Sequence, residues 1–284
     1  MKQINIIKTL SLCLLLILTA SCKDRISADK VKDLTAKVTE AAKKSESETS
    51  RTATKALSYE EIMMPAKLTD RSEQILKRTG YTVSYNKDMR LPNWVAWHLT
   101  AAKTKGDNKR DGIKFQEDTD VPSPRATHAD YVRSGYDRGH MCPAGDNKWS
   151  AAAMEESFLM TNICPQHPNL NRGDWSEMEN ACRDWAEEYG DLVIVAGPIF
   201  YKGSHKKIGK NKVVVPEAFF KVILTLEGDE PQAVGFIYKN NKGNLPKDSY
   251  INSIDNVERI TGIDFFPALP DEIEDKVETY THLL

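Results

Sequence analysis

Apolar and polar positions alternate differently in two parts of the chain. Residues 23–57 are rich in Lys, Glu, Ser, Thr and Ala and contain no Pro, Gly or aromatic residue, which is typical of a solvated tether with at most a transient helix. From about residue 66 the pattern changes, and residues 81–85 and 94–100 alternate in the way that predicts strands. The pattern therefore separates a polar N-terminal part from a folded part.

The longest predicted helix covers residues 173–190. Asp174 and Glu177 are spaced as a capping box at its start, and Gly190 stands where a helix commonly ends. The other expected helices are a short one at residues 150–158 and two terminal ones at 253–261 and 270–277. The other expected strands are one at 159–164, a buried one at 192–200, and a hairpin of 218–226 with 232–239. Hairpin strands with segregated helices predict an α+β domain with a central, mainly antiparallel sheet flanked by helices.

The first 21 residues differ from everything that follows. Lys2 and Lys8 give a basic start, and residues 10–20 form an apolar run. This run is too short to span a bilayer comfortably, so it predicts a secretory signal rather than a membrane-spanning helix. We therefore expect the chain to be exported across the inner membrane.

The junction after this segment resembles the lipobox of bacterial lipoproteins. A pair of small residues ending at Ser21 precedes Cys22, although Thr19 stands where that pattern usually has Leu. Lipidation of Cys22 would hold the protein at a membrane surface, facing the periplasm or the cell exterior. An ordinary signal peptide with an incidental Cys is the alternative. The expected organisation is a signal peptide at residues 1–21, a polar tether at 22–65 and one domain at 66–284.

The charge of the chain limits how it can attract a polyanion. Its formal net charge is −2, and the charge becomes −4 when Lys2 and Lys8 leave with the signal. No overall positive field exists to draw in an anionic partner. Attraction of such a partner must come from a local cluster of arginines or from a bound cation.

The cysteines exclude one kind of metal site. Cys142, Cys164 and Cys182 remain after the signal and the lipidation site are set aside. Three thiols in an exported protein allow at most one disulfide, and the sequence leaves the pairing open. No C-x-x-C spacing is present, so a zinc site is not expected.

One short segment, YDRGHMCPAGDNKWS at residues 136–150, reads as neither a helix nor a buried strand. It begins with Asp137, Arg138, Gly139 and His140 and is then interrupted by Pro and Gly. Such a segment is either a solvated loop or a device that presents His140 to a substrate.

Spacing along the long predicted helix places several candidate side chains on one face. Trp175, Glu179 and Arg183 are four residues apart and so share one face, with Asn171 a further step back. The preceding segment is dense in amides, which commonly cap helices or stabilise turns.

Three motifs in order carry a resemblance to a known family. D-R-G-H at 137–140, N-x-x-P-Q at 162–166 and N-x-G-x-W-x-x-x-E at 171–179 resemble the DNA/RNA non-specific endonuclease family. These are sugar-non-specific nucleases with a ββα-metal (His-Me finger) active-site motif. Four further blocks agree, at 93–97, 195–200, 215–222 and 266–270, so that the resemblance covers roughly residues 70–280.

The resemblance implies a base and a metal. His140 is the expected general base, because an imidazole with a pKa of about 6.5 is largely neutral at pH 7. Asn171 is the expected ligand of Mg²⁺, with Mn²⁺ as an alternative, since Mg²⁺ binds oxygen donors and keeps several waters. Glu179 is expected to organise waters around the ion rather than to bind it directly.

The resemblance also implies phosphate-binding and supporting residues. Arginine suits phosphate because its planar fork donates paired hydrogen bonds. Arg110, Arg183 and Arg138 are the candidates for this contact. The residues expected to hold their neighbours in place are Asp137, Asn162 and Gln166.

The function expected from this resemblance is metal-dependent hydrolysis of DNA or RNA with little sequence specificity. The products would carry 5′-phosphate ends. The alternative is a surface lipoprotein of the same fold that only binds nucleic acid or a protein partner.

Overall fold

The computed structural model describes residues 35–41, 43–44, 57–201, 203–228 and 230–281. The predicted signal peptide, Cys22 and most of the predicted tether lie outside the described residues. Within these ranges no helix has both the length and the apolar character needed to cross a membrane. The chain divides into two units, Met1–Thr52 and Ala53–Leu284, and in the first of them residues 35–41 and 43–44 are helical and exposed.

The second unit is built on strands that pair antiparallel. In chain order these strands are β1 (Gln74–Lys77), β2 (Thr82–Asn86), β3 (Leu91–Leu99), β4 (Asp137–His140), β5 (Ile163–Gln166), β6 (Leu192–Ile199), β7 (Lys207–Ile208), β8 (Val213–Val214), β9 (Ala218–Thr225), β10 (Gln232–Lys239) and β11 (Ile251–Asn252). Seven of them form one sheet in the order β1-β2-β3-β6-β9-β10-β11. The predicted hairpin of β9 and β10 is confirmed, as is the α+β class with its antiparallel sheet.

Helices cover both faces of this sheet. They are α1 (Tyr59–Ile62), α2 (His128–Tyr131), α3 (Ala151–Glu156), α4 (Pro168–Arg172), α5 (Asp174–Glu188), α6 (Ile254–Thr261) and α7 (Asp271–Glu278), with 3₁₀ turns at Ala144–Asn147, Met160–Asn162 and Lys247–Tyr250. One core contains Trp175 of α5 against Phe219 of the sheet. The other contains Val257 and Val277 of α6 and α7 against Phe220. Adjacent residues of β9 therefore point into different cores, as the alternation of a strand requires.

The polar segment that begins at Asp137 contains a partly buried strand, which its residue pattern alone did not indicate. β4 pairs antiparallel with β5, and His140 stands opposite Ile163 in this two-stranded ribbon. The predicted strand at 159–164 is also shifted, because Met160–Asn162 is a 3₁₀ turn and the strand begins only at Ile163. β4 forms because its backbone groups pair with those of β5, which is distant in sequence. A local pattern of apolar residues does not reveal such pairing. β4, β5 and α5 together form the expected ββα arrangement.

α5 begins differently from the prediction but ends as predicted. Gly173 is the N-cap and Asp174 is already the first helical residue, so the predicted capping box is wrong. The Asp174 carboxylate instead accepts hydrogen bonds from the backbone N–H of Asn244 at 2.6 Å and from the hydroxyl of Tyr250. Gly190, with φ of +98°, follows the C-cap and confirms the predicted end of the helix.

The packed part of the chain begins before residue 66. α1 is capped by Ser58, whose hydroxyl accepts from the backbone N–H of Glu61, and Ile62 is buried in the second core. The three cysteines of the domain are all free and buried, so the one disulfide that the sequence allows is not formed among Cys142, Cys164 and Cys182.

Candidate active site

A cleft of about 700 Å³ opens where the ribbon of β4 and β5 meets α5. The loop before α2 supplies one wall, the segment around β4 supplies the floor, and α4 with α5 supplies the opposite wall. All six residues expected to act on the substrate or the metal line it: Arg110, Arg138, His140, Asn171, Glu179 and Arg183. The structure therefore brings together on one cavity side chains that are up to 73 positions apart in the sequence.

His140 ends β4 with its ring between two aromatic residues. The ring centroids of Phe115 and Phe158 lie 5.4 and 5.0 Å from that of His140. Its Nε2 is buried and has no hydrogen-bond partner in the described part of the chain. Burial lowers the pKa of His140 to about 3, and the charges of Arg110 and Arg138 act in the same direction. The imidazole is therefore unprotonated at neutral pH, which is the form that can accept a proton.

The chain just after His140 is fixed by the side chain of Asn162. Its Oδ1 accepts from the backbone N–H of Cys142 at 2.9 Å, and its Nδ2 donates to the carbonyl oxygens of Cys142 and Ser157 at 2.8 Å each. Asn162 is fully buried, so these bonds are shielded from water. The amide thus ties β4 to the turn before β5 and limits the movement of the base.

Gly139 allows β4 and β5 to approach closely. A Cβ at this position would lie 2.1 Å from Oε1 of Gln166 and 2.7 Å from its Cβ, so no larger residue fits. Gln166 is fully buried against this backbone, and neither end of its amide has a hydrogen-bond partner among the described residues. Gln166 therefore lies behind the ribbon as packing rather than on the wall of the cleft.

Asn171 faces the cleft with a defined orientation. Its Nδ2 donates to Oδ2 of Asp137 at 3.0 Å, and its Oδ1 makes no hydrogen bond within the described residues. Arg172 holds the same carboxylate with two bonds of 2.8 Å, from Nε to Oδ2 and from Nη2 to Oδ1. Asp137 therefore orients the amide so that its oxygen remains available. Arg172 was not among the expected site residues, although it adjoins Asn171 in the motif at 171–179.

The short helix that carries Asn171 is anchored from the main sheet. Asn240, just after β10, accepts from the backbone N–H of His167 at 2.7 Å and donates to the carbonyl oxygens of Pro165 and Pro216 at 3.0 and 2.8 Å. His167 and Pro165 lie just before α4, whereas Pro216 lies just before β9. Asn240 therefore fixes the position of α4 relative to the sheet, a role that no sequence pattern indicates.

Glu179 lies one helical turn after Trp175 on the wall of the cleft. Burial raises its pKa to about 7, while the nearby charges of Lys221 and Arg183 favour its ionised form. The indole N–H of Trp175 donates to the backbone carbonyl of His140 at 3.2 Å. Trp175 thus connects the helix that carries Glu179 to the strand that carries the base.

Arg183 is held against the cleft by a buried carboxylate. Its Nη1 donates to Oδ1 of Asp146 at 2.8 Å, and the side chain of Asp146 is only 1% exposed. The other oxygen of Asp146 accepts from the indole N–H of Trp97 at 3.0 Å. Burial raises the pKa of Asp146, and the charge of Arg183 opposes this. Asp146 was not a candidate in the sequence analysis, because its role depends on a partner 37 positions away.

The other two arginines stack on the aromatic residues beside the base. The guanidinium carbon of Arg110 lies 5.6 Å from the ring centroid of Phe158, and that of Arg138 lies 4.9 Å from Phe115. Arg138 also approaches Nδ1 of His128 at 3.3 Å, whereas Arg110 is exposed. Both cations therefore point into the cleft near His140 without a carboxylate partner among the described residues.

The cleft is basic although the chain is acidic overall. Six of its lining residues are Lys or Arg, and only two are Asp or Glu. The formal net charge of the chain is −2. The local cluster of Lys and Arg can attract an anion, as expected for a chain without an overall positive charge.

The oxygen donors of the cleft fit a hard divalent cation. They are the free amide oxygen of Asn171 and the carboxylate of Glu179. Mg²⁺ prefers such donors and often takes only one or two protein groups. Within the described residues, the one cluster of three acidic side chains with ligand spacing is Asp255, Glu258 and Glu278, none of which lines the cleft. The cleft therefore suits an ion that keeps most of its water.

Comparison with known proteins agrees with this geometry. The profile of the DNA/RNA non-specific endonuclease family matches residues 59–272. The mitochondrial nuclease EXOG of Xenopus laevis is 38% identical over 207 residues, which are 67% of this chain and 57% of that protein. Nuclease C1 of Cunninghamella echinulata var. echinulata is 38% identical over 213 residues, 70% of this chain and 84% of that protein.

A solved structure is similar in three dimensions. The crystal structure of the EndoG/EndoGI complex contains a chain that superposes with a TM-score of 0.70 at 27% identity, covering 77% of this chain and 95% of the other. Mitochondrial endonuclease G of Bos taurus is 33% identical over 209 residues, 69% of this chain and 70% of that protein. The chain spans little more than half the length of the EXOG relatives, 57% in the Xenopus laevis case.

Proposed function

Because the chain belongs to the DNA/RNA non-specific endonuclease family, we propose that it hydrolyses phosphodiester bonds within DNA, RNA or both with little sequence preference. One observation carries the proposal: an unprotonated imidazole and an uncommitted amide oxygen, those of His140 and Asn171, line the same basic cleft. A base and a hard-cation ligand are both needed for hydrolysis, whereas a protein that only binds needs neither.

His140 is the proposed general base. It accepts a proton from a water molecule as the water oxygen attacks the phosphorus. The bond from phosphorus to the 3′ oxygen then breaks, and that oxygen takes up a proton from solvent. The products are one strand end with a 3′ hydroxyl and one with a 5′ phosphate. The aromatic residues and Asn162 hold the imidazole at the position from which it can act.

Asn171 is the proposed ligand of Mg²⁺ or Mn²⁺, and Glu179 the proposed acceptor for waters around the ion. A bound cation of this kind neutralises charge on the phosphate and stabilises the departing 3′ oxygen. The contribution of the chain is orientation, because Asp137 keeps the amide oxygen of Asn171 directed to the cleft. Arg172 in turn keeps Asp137 in place.

The arginines of the cleft are the proposed phosphate contacts. Arg110 and Arg138 lie on the side of the base, and Arg183 lies on the side of the long helix. Guanidinium groups on both sides can donate to the equatorial oxygens of one phosphate as negative charge builds up on them.

A digestion of four substrates tests the proposal. Purified protein is incubated with single- and double-stranded DNA and RNA, with Mg²⁺ and with EDTA in excess, and the product ends are analysed. We expect chelator-sensitive cutting inside the chains with 5′-phosphate ends. Tight binding without cutting under all conditions would instead support the alternative, a binding lipoprotein of the same fold.

We also propose that the protein is a lipid-anchored one, on the basis of residues outside the described part of the chain. The basic start, the apolar run and Ser21 before Cys22 carry this proposal. Expression of the full chain and of Cys22→Ala, followed by separation of membranes, tests it. We expect the unaltered chain with the membranes and the variant in the soluble fraction. Equal distribution of both would contradict the anchor.

A further inference from the structure

A lysine side chain is buried in the core directly behind the cleft. Lys221 lies on β9, in the middle of the seven-stranded sheet, opposite Ala196 of β6 and Phe236 of β10. It is fully buried, and its Nζ has no hydrogen-bond partner within the described part of the chain. Its neighbours on the same face of the strand, Phe219 and Ile223, are apolar core residues.

A buried ammonium group without a hydrogen bond does not by itself stabilise a fold. Removing an ammonium group from water without a hydrogen bond is unfavourable, and apolar residues that replace buried charges are often neutral or stabilising. Met has the unbranched shape needed to fill the same space beside Phe219 and Ile223. A buried cation in this setting is explained better by what its charge does to its neighbours than by packing alone.

Two tryptophans flank the ammonium group. Nζ of Lys221 lies 4.5 Å from the ring centroid of Trp175 and 5.6 Å from that of Trp97. Both distances are within the range of cation–π attraction, which strengthens when the cation is shielded from water. The ammonium group therefore attracts both indoles from one point.

Each of these indoles holds a different part of the cleft. The N–H of Trp175 donates to the backbone carbonyl of His140 at 3.2 Å. The N–H of Trp97 donates to Asp146 at 3.0 Å, and Asp146 binds Arg183. The two paths that start at Lys221 thus end at the base and at a phosphate-contacting arginine.

We propose that Lys221 is a positioning residue of the active site, whose ammonium group fixes the indoles of Trp97 and Trp175 and through them the base and Arg183. The inference rests on the proposed function. Lys221 does not line the cleft and so acts only through its neighbours. Its positive charge also favours the ionised forms of Asp146 and Glu179, so it acts on both carboxylates near the cleft in the same direction.

The substitution Lys221→Met separates a positioning role from a structural one, because Met keeps the unbranched shape and removes the charge. We expect kcat on DNA to fall at least tenfold and KM to stay within twofold, whereas a purely structural role would lower the midpoint of thermal unfolding and leave kcat unchanged. Ile223→Val is the matched control, on the same face of the same strand. It should lower the unfolding midpoint and leave kcat near that of the unaltered chain.

A coupling measurement identifies the path. Trp175→Phe and Trp97→Phe keep a ring beside the ammonium group but remove the N–H donor. If Lys221 acts through the indoles, the loss of kcat in Lys221→Met with Trp175→Phe is smaller than the product of the two single losses. Independent losses that multiply would overturn the proposal.

The remaining outcomes are also decisive. A Lys221→Met variant with the kcat of the unaltered chain, or with a changed KM alone, overturns the inference while leaving the proposed function intact. An unaltered chain that cuts no nucleic acid overturns the proposed function itself. If Lys221→Met does not fold, the two Trp→Phe variants decide, and an unchanged kcat in both contradicts the positioning role.

Discussion

The amide nitrogen of Asn171 donates to Oδ2 of Asp137 at 3.0 Å, and this contact decides which end of the amide faces the cleft. A carboxylate can only accept, so it selects the NH₂ end and leaves the oxygen free. Arg172 holds both oxygens of the carboxylate and prevents it from turning away. Asp137 and Arg172 thus set the orientation of Asn171, the proposed metal ligand, without being proposed as ligands themselves.

Loss of this orientation should weaken metal binding. We expect Asn171→Ala to raise the Mg²⁺ concentration for half-maximal activity at least tenfold, because the ligand oxygen is gone. Asp137→Ala should raise it less, since the oxygen is present but no longer oriented. Metal titrations of activity give both values. Asn169→Ala, an exposed position on the same short helix, is the control and should titrate like the unaltered chain. An unaltered titration for Asn171→Ala would reject its role as ligand.

Removal of the base should affect chemistry alone. His140→Ala is expected to lower kcat by about 10²- to 10⁴-fold, the usual contribution of a general base. Affinity for DNA should stay nearly constant, because the cationic wall of the cleft is unchanged. Single-turnover kinetics and a binding titration measure the two effects separately. His205→Ala removes a histidine that does not line the cleft and should cut normally. Cutting at the usual rate by His140→Ala would show that the base is another group.

The sequence predicts the sheet better than the site. β9 and β10 follow from their apolar runs, which indicate buried strands whatever the surroundings. β4 could not be predicted in this way, because its polar residues form a strand only by pairing with β5. Arg172 and Asp146 were missed for a related reason. Their roles arise from partners 35 and 37 positions away, and residue type alone does not reveal such contacts.

Lys221 illustrates the same limit more strongly. It lies inside the block 215–222 that supports the resemblance, yet nothing in that block separates a solvated lysine from a buried one. Its position between Trp97 and Trp175 depends on three elements that the fold brings together. Sequence motifs therefore identified the family and six residues that line the cleft, whereas the groups behind the cleft required the structure.

Two arginines of the cleft should differ in their effect on stability. Arg183→Ala leaves the carboxylate of Asp146 buried without its cation, a change that typically costs about 3–5 kcal/mol of unfolding free energy. Arg110 is exposed and has no carboxylate partner among the described residues, so Arg110→Ala should leave stability nearly unchanged. Both should lower activity. Urea unfolding with a parallel activity assay checks the contrast. Equal stability of the two variants would contradict the assigned role of Asp146.

Gly139 should not tolerate even one methyl group. A Cβ there would lie 2.1 Å from Oε1 of Gln166, which is fully buried and cannot move away without displacing the core. We expect Gly139→Ala to cost about 1–3 kcal/mol of unfolding free energy, the usual range for overpacking. Gly112→Ala has open space around its Cβ, although its φ of +83° adds some strain, and it is the comparison. A Gly139→Ala variant as stable as the unaltered chain would show that the two strands can separate.

A group of carboxylates outside the cleft should make stability fall as the pH rises from about 4.5 to about 8. Burial raises the pKa of Glu278 from 4.5 to about 8, and the neighbouring charges of Glu258 and Glu274 add to this. Between these two values the folded state keeps a proton that the unfolded state releases, so the free energy of unfolding falls as pH rises through this window. Below it both states are protonated and no penalty exists.

The substitution Glu278→Gln removes this titration and keeps the shape of the side chain. The variant should match the unaltered chain at about pH 4 and be more stable at about pH 9, where the unaltered chain carries the full penalty. Urea unfolding in EDTA across this range measures the difference. Glu272→Gln, on the exposed side of α7, is the control and should leave the pH dependence of stability unchanged. A Glu278→Gln curve parallel to that of the unaltered chain would show that the pKa of Glu278 is the same in the folded and unfolded states.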